Sequence, residues 1–158
     1  MAAKKTSTDR FRDVAQNRKA FHEYEITDRV EAGIVLVGSE VKGLRERGAS
    51  IRDAYAQFRE GELFLVGLHI PEYFNARNGH EPTRTRKLLL NRRELDRISA
   101  DVRERGLSVV PLRVYFKGSH AKVEIGMGRG KKLYDKRRSI AERDAKRDTD
   151  RAMKAARR

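Results

Sequence analysis

The chain of 158 residues contains no cysteine and no tryptophan. Without cysteine it has neither a disulfide framework nor a thiolate metal site. The sequence also lacks any apolar run approaching the ~20 residues that span a bilayer. Its N-terminal stretch, MAAKKTSTDRF, has no apolar segment of the kind found in secretory signals. We therefore expect a cytoplasmic protein.

Large apolar side chains are also scarce at the C-terminal end. Residues 129–158 hold 13 Lys or Arg against 5 Asp or Glu, and their large apolar side chains are Leu133, Tyr134, Ile140 and Met153. Such a segment cannot bury enough surface to offset the entropy of ordering itself. We expect this basic tail to be disordered when free.

The positive charge is concentrated at the two ends of the chain. The formal net charge is +14, of which residues 129–158 contribute +8 and residues 1–20 contribute +4. Basic arms on a nearly balanced domain are typical of nucleic-acid-binding proteins. A membrane partner is disfavoured because an interfacial helix needs a stripe of bulky apolar residues, whereas the tail offers mainly alanine.

The apolar pattern predicts a mainly β domain over residues 16–128, after a flexible leader at 1–15. It contains about six short strands and two or three short helices. One helix is predicted over Glu40–Arg47 and another after Asn91, whose side chain can cap it. A hairpin is predicted at 60–61, where glycine tolerates the positive φ of a tight turn. Antiparallel strands at this spacing favour a small barrel over a sandwich.

Motifs for catalysis or metal binding are not evident. The four histidines share no metal-site spacing, so we expect neither a metal nor another cofactor. Three residues separate Gly126 from Gly130, where a phosphate-binding loop needs four. No Ser-His-Asp order or paired-carboxylate motif stands out either. We therefore expect a protein that is not an enzyme.

Two features are ambiguous from residue chemistry alone. In the stretch 83–90, Arg84 and Arg86 alternate as in a strand and predict a cationic edge for a phosphate backbone. The alternative is a solvated charge run that ends in a core anchor, Leu88–Leu90. Glu31 could accept hydrogen bonds from base edges or hold an arginine in position, and the alternative is an ordinary exposed acid.

Several short segments of the sequence occur in an order that is far more specific than any one of them. They are Asn17-Arg18-Lys19-Ala20 with His22 and Tyr24, Glu31-Ala32-Gly33, Gly38-Ser39-Glu40-Val41-Lys42, Leu44-Arg45, Pro82-Thr83-Arg84-Thr85-Arg86-Lys87-Leu88-Leu89-Leu90, and Gly130-Lys131-Lys132-Leu133-Tyr134-Asp135-Lys136-Arg137. Together they closely resemble the small protein B family, the bacterial SsrA-binding proteins that partner transfer-messenger RNA. The resemblance runs from about Asn17 to the C-terminus.

The resemblance implies an OB-type antiparallel β-barrel with flanking helices. It implies an adaptor of trans-translation that binds the tRNA-like domain of transfer-messenger RNA and delivers this RNA to stalled ribosomes. Elongation factor Tu would be an indirect partner through the charged RNA, and neither DNA nor membrane is an expected partner. The tail, residues 129–158, would probe the empty mRNA channel and the decoding centre of the small-subunit rRNA and become helical there.

The resemblance also implies which residues bind RNA. The family's RNA-contact positions fall on Asn17, His22, Glu31, Leu89 and Lys122. The basic side chains that complete the predicted RNA-binding set are Arg18, Lys19, Arg45, Arg84, Arg86 and Lys87. The predicted decoding-centre residues of the tail are Gly130, Lys131, Lys132, Tyr134, Asp135, Lys136 and Arg137.

Two other functions share part of this pattern. A structural ribosomal protein is the nearest alternative, because such proteins also combine small barrels with basic tails. An RNase of OB or related fold is the alternative among enzymes.

Overall fold

The computed structural model describes residues 11–72, 79–131 and 133–157, with the backbone alone for 133–135. Its strands are β1 (Phe11–Gln16), β2 (Tyr24–Ile34), β3 (Tyr55–Arg59), β4 (Glu62–Val66), β5 (Arg86–Leu89), β6 (Ser108–Lys117) and β7 (His120–Gly130). Its helices are α1 (Arg18–Glu23), α2 (Gly38–Arg47), α3 (Arg92–Arg105) and α4 (Leu133–Ala156).

The strands form one antiparallel sheet in the order β1-β6-β7-β2-β5-β4-β3. The described residues therefore contain seven strands, one more than predicted, and the fold is mainly β as expected. The sheet curls so that β3 lies beside β6, but the terminal strands β1 and β3 share no ladder of hydrogen bonds. A closed OB-type barrel is thus not confirmed.

The core lies on one face of this sheet, which we call the inner face. Val114, Val123, Ala32 and Leu88 come from four neighbouring strands and are all fully buried there. Leu44 of α2 and the pair Leu95 and Ile98 of α3 join the same cluster. Burying such a side chain contributes about 1.5–3 kcal/mol. Alternate residues of a strand point to opposite faces. The other face, the outer face, is covered in part, because Ala20 of α1 packs with Val110 and Leu112 in a second buried cluster, and most of the rest of it carries half-buried and exposed side chains.

Local sequence signals account for several element boundaries. Asn91 caps α3 by accepting a hydrogen bond from the Glu94 backbone at 2.9 Å, and Gly106 ends it in the left-handed conformation. The hairpin turn at 60–61 has positive φ at both residues. Helix α2 begins at Gly38, two residues before the predicted start at Glu40. The cap position is Val37, whose backbone N–H donates to the Glu40 carboxylate at 3.0 Å.

Both predicted boundaries of the folded domain were too narrow. Residues 11–16, placed in the flexible leader, form β1 and pair with β6. Residues 1–10 of that leader lie outside the described residues. At the other end β7 continues past residue 128, since Gly130 pairs with Tyr24 of β2. Polar edge-strand residues carry a weak sequence signal because only their backbone is required for pairing.

The disordered tail is not confirmed either, because residues 133–156 form the 24-residue helix α4. The segment is rich in Ala, Arg, Lys and Glu, which are strong helix formers. An i,i+4 ion pair joins Arg138 to Glu142 at 3.2 Å. High helix propensity can therefore order a segment that has few large apolar side chains. Within the described ranges, no helix combines the length and apolar character needed to cross a membrane.

Candidate nucleic-acid interface

The outer face carries a row of side chains that crosses four strands. Tyr115 of β6 lies opposite Lys122 of β7, Lys122 lies opposite Gly33 of β2, and Gly33 lies opposite Leu89 of β5. Residues directly opposite one another in a ladder share a face of the sheet. Two of the predicted RNA-contact residues, Lys122 and Leu89, therefore lie in one row, and Leu89 is half exposed although it is apolar.

Glu31 lies beside this row and is held in place by two neighbours. The hydroxyl of Tyr115 donates a hydrogen bond to one carboxylate oxygen, and the ammonium of Lys117 is 3.6 Å from the other. Burial of the ring, the hydrogen bond to Glu31 and the negative charge of this carboxylate all raise the pKa of Tyr115. The hydroxyl therefore keeps its proton, and Glu31 presents a fixed carboxylate with further lone pairs to solvent.

Arginine and aromatic side chains extend the outer face toward β1. The Arg113 guanidinium lies 4.4 Å from the centre of the Tyr115 ring. It also contacts Glu124 at 3.4 Å and Asp13 at 3.1 Å. Sequence reasoning missed Arg113 and Lys117 as outer-face residues, and it missed the buried Tyr115 between them. The available signal was the period of two that places residues 113, 115 and 117 on one face of β6.

Asn17 positions α1 and does not face solvent. It is buried, and its side-chain amide donates to the Pro111 carbonyl at 3.0 Å. Its side-chain oxygen accepts from the Ala20 backbone at 3.2 Å, which caps α1. Asn17 therefore fixes the helix that carries Arg18 and Lys19, and it also lines the cleft beside that helix; its contact with RNA stays a prediction.

Helix α1 stands next to the outer face and forms a cleft with it. Arg18 and Lys19 are exposed and His22 is half-buried. The cleft has a volume of about 290 Å³, and its lining includes Arg18, Arg29 and Arg113. At its rim the Arg29 guanidinium lies 5.1 Å from the centre of the exposed Phe21 ring. The helix and the outer face thus make one continuous surface with several cations and stacking groups.

Arg84 and Arg86 do not form the predicted cationic edge. Arg86 is fully buried, and its guanidinium donates to the Glu40 carboxylate, to the Leu68 carbonyl at 2.6 Å and to the Pro82 carbonyl at 3.1 Å. Arg84 donates to the same carboxylate at 2.6 Å, with 37% of its side chain exposed. The prediction that the Arg86 side chain faces RNA is therefore corrected: it holds β5 against α2.

Glu40 is the centre of this buried cluster. Burial by itself would raise its pKa, but hydrogen bonds from Arg84, the Val37 backbone and Arg86, together with the charge of Arg86, lower the pKa below its ordinary value. The carboxylate is therefore ionised at neutral pH. It ties the first turn of α2 to the strand that carries Leu89.

Lys87 and Arg45 lie in different places. Lys87 is two residues before Leu89 in β5, so it belongs to the outer face, with Glu62 at 3.8 Å. Arg45 is on α2, where its guanidinium lies 5.1 Å from the centre of the Phe116 ring. Phe116 packs in the inner-face core. The structure thus brings Lys87 into the outer face but does not bring Arg45 there.

The histidines do not converge. His80 is buried between the Ile70 carbonyl, to which its ring donates at 2.9 Å, and the Ser39 hydroxyl at 3.1 Å. His22 is on α1, whereas His120 begins β7. Across residues 11–72, 79–131 and 133–157, no group of three or more His, Cys, Asp or Glu side chains is arranged to hold a metal ion.

The predicted decoding-centre residues divide between the folded body and α4. Gly130 ends β7, and Lys131 bonds to α1 and to α4. Lys136 is half-buried and Arg137 exposed in the first turns of α4. Tyr134 and Asp135 are in the same helix, with side chains outside the described residues, and Lys132 lies outside them altogether.

Similar proteins point to one family. A family model described as SmpB protein matches residues 14–155. The SsrA-binding protein of Salinispora arenicola is 59% identical over 140 residues, which cover 88% of each chain. That of Syntrophobacter fumaroxidans is 48% identical over 155 residues, covering 98% of this chain and 96% of the relative. A solved structure described as "tmRNA-SmpB: a journey to the center of the bacterial ribosome" is 44% identical, with a TM-score of 0.63, and covers 77% of this chain and 87% of that chain.

Proposed function

The chain belongs to the SmpB protein family, and we propose that it is a non-enzymatic RNA-binding adaptor of trans-translation in the cytoplasm. It binds the tRNA-like domain of transfer-messenger RNA through α1 and the outer face, and it delivers this RNA to stalled ribosomes. The observation that carries the proposal is the placement of the exposed Leu89 and the half-buried Lys122 in one row beside Glu31. The names of the similar proteins support the same partner.

The chemistry of this surface suits a folded RNA with unpaired loops. Such RNA is recognised by its phosphates, by stacking and by the edges of splayed bases. Lys122, Lys87 and the cations of α1 supply phosphate contacts. The fixed carboxylate of Glu31 accepts hydrogen bonds from a base edge, and Leu89 supplies an apolar contact to a sugar or base. A curled sheet used in this way would act as an OB-type platform.

The tail acts on a second RNA in this proposal. Helix α4 carries eight Lys or Arg and five acids, and its described side chains are mostly exposed. It enters the empty mRNA channel and contacts the decoding centre of the small-subunit rRNA, with Lys136 and Arg137 in its first turns. Elongation factor Tu joins indirectly, through the charged RNA.

Salt dependence tests the phosphate contacts of the outer face. If about five phosphates are neutralised, the slope of log affinity against log salt is about −3.5 to −4.5. Lys122→Met should make this slope shallower by about one phosphate's share, roughly 0.7–0.9. The exposed Lys154 at the end of α4 offers a matched control, Lys154→Met. A slope near zero for the wild type would contradict a phosphate-binding surface.

A truncation after Lys131 tests the division of labour between body and tail. Every described core residue precedes that position, since the last one is Met127, so the shortened chain keeps its complete core. We expect it to bind the tRNA-like RNA with nearly wild-type affinity and to lose peptide tagging on stalled ribosomes. Loss of RNA affinity in the truncated chain would assign RNA binding to the tail instead.

Two further measurements distinguish an adaptor from a structural ribosomal protein and from an RNase. An adaptor joins ribosomes sub-stoichiometrically and is present in the ribosome-free fraction, whereas a structural ribosomal protein is present once in each subunit. Degradation of RNA by purified protein, after controls for contaminating nuclease, would favour the enzyme.

A further inference from the structure

We propose that Lys131 is a positioning residue that joins α1 to α4, so that RNA held at α1 sets the direction in which the tail leaves the body. The consequence for rescue rests on the function proposed above. The joint itself rests on the contacts of Lys131, which exist without RNA.

Lys131 makes three hydrogen bonds at the point where β7 ends and α4 is about to begin. Its backbone N–H donates to the Glu23 carbonyl at 2.7 Å. Its ammonium donates to the Phe21 carbonyl at 3.1 Å and to the Ser139 hydroxyl at 2.9 Å. One residue therefore bonds to the last turn of α1 and to the second turn of α4.

These contacts matter to α1 because of how short it is. The last carbonyls of a helix have no partner within it, and a cation is favourable there because of the helix dipole. A helix of six residues has little stability of its own. Asn17 caps its start and Lys131 satisfies two carbonyls at its end, so α1 is fixed at both ends.

The contacts matter to α4 because few other contacts join its described side chains to the body. No described residue of α4 belongs to the hydrophobic core, and α1 is the element of the body that it contacts most. The bond to Ser139 therefore restrains the direction of a 24-residue helix. This use of the ammonium gives Lys131 a role in the joint, and its predicted contact with the decoding centre stays a prediction.

The experiment compares full-length variants that break the joint from either side. Lys131→Met keeps the length of the side chain but removes its donors. Ser139→Ala removes the contact with α4 and leaves every charge in place. Lys154→Met loses the same charge as Lys131→Met from an exposed position at the far end of α4.

The distance between two spin labels, one on the body and one on α4, measures how α4 is oriented relative to the body. The chain has no cysteine, so single cysteines introduced at the exposed Glu104 of α3 and Lys146 of α4 give one defined pair. We expect a narrow distance distribution for the wild type and for Lys154→Met. The distribution should broaden in Lys131→Met and in Ser139→Ala. Unchanged distributions in both variants would overturn the joint.

The functional readouts test the coupling. For Ser139→Ala, which leaves the bonds from Lys131 to α1 in place, we expect affinity for the tRNA-like RNA to stay within about threefold of wild type, while rescue of stalled ribosomes falls by about tenfold or more, as loss of a hydrogen bond to a charged group allows. Lys131→Met also releases the end of α1, so its RNA affinity should fall below that of Ser139→Ala. A fall in RNA affinity that matches the fall in rescue for Ser139→Ala would overturn the coupling, because this contact would then act on RNA binding itself. Failure of the proposed function is distinguishable: the wild type would neither bind this RNA nor rescue, whereas the distance measurement on free protein would be unaffected.

Discussion

Glu40→Gln is expected to destabilise the protein more than any change to an exposed charge. The Glu40 side chain is fully buried and receives hydrogen bonds from Arg84, Arg86 and the Val37 backbone. The amide keeps one acceptor oxygen but turns an N–H₂ group toward a guanidinium that can only donate. The buried charge of Arg86 is then left without its counter-ion.

The magnitude follows from that uncompensated charge. Removing one partner of a buried ion pair costs about 3–5 kcal/mol. Arg86 keeps its bonds to the Leu68 and Pro82 carbonyls, so we expect the lower end, about 3 kcal/mol. For a chain of this size, that loss lowers the melting temperature by about 6–12 °C. Urea unfolding followed by circular dichroism measures the same loss at 25 °C.

The pH dependence of the unfolding free energy provides a second test of the Glu40 carboxylate. The folded-state pKa of Glu40 is lowered from an ordinary value of 4.5, so its contribution is present above that pH and is lost as the pH falls through the folded pKa. The difference in unfolding free energy between wild type and Glu40→Gln should therefore be largest near neutral pH. It should shrink progressively as the pH falls below 4.5.

Glu46→Gln is the matched control, because Glu46 is exposed on the same helix. A change at an exposed position is usually within about 0.5 kcal/mol. If Glu40→Gln cost no more than Glu46→Gln, or if their difference did not depend on pH below 4.5, the buried carboxylate would not be the ionised centre of this cluster.

Three other predictions address the ladder, the outer face and the tail. Gly128→Ala places a Cβ against the backbone of β2, so the unfolding free energy should fall by more than about 2 kcal/mol. Gly130→Ala is the control, because its Cβ meets open space, and it should change the unfolding free energy by less than about 0.5 kcal/mol. Tyr115→Phe removes the hydrogen bond to Glu31, and RNA affinity should fall by about threefold or more with the fold intact; unchanged affinity would show that Glu31 needs no fixed orientation. Replacing Asp135 with Asn should impair rescue although it makes the tail more basic, and improved rescue would contradict a specific contact.

The sequence predicted those elements whose signals are local. The cap at Asn91 and the turn at 60–61 are each decided by a few adjacent residues, and each is present. Helix α1 was missed because six residues show no clear period. Leu89 and Lys122 were named through family resemblance, since only pairing across β2 places them in one row.

The burial and the hydrogen-bond partners of an individual arginine or lysine could not be predicted in the same way. Arg86 looks like its neighbour Arg84 in sequence, but its partner Glu40 is 46 residues away. Burial of Arg86 depends on how α2 packs against β5, which no local pattern records. Lys131 is a similar case, because the carbonyls that it binds belong to α1, more than 100 residues earlier.

If the proposed function holds, the arrangement of charge predicts that the body and the tail bind RNA in different ways. On the outer face, Glu31 and Glu124 are interleaved with Lys117 and Arg113 at 3.6 Å and 3.4 Å. Acids so placed repel a phosphate backbone unless it follows a defined path, and they favour base edges that donate hydrogen bonds. Helix α4 carries eight cations against five acids on a mostly exposed rod, and this net positive charge suits a phosphate-lined channel. Selectivity for one RNA is therefore expected in the body, and entry into a second RNA in the tail.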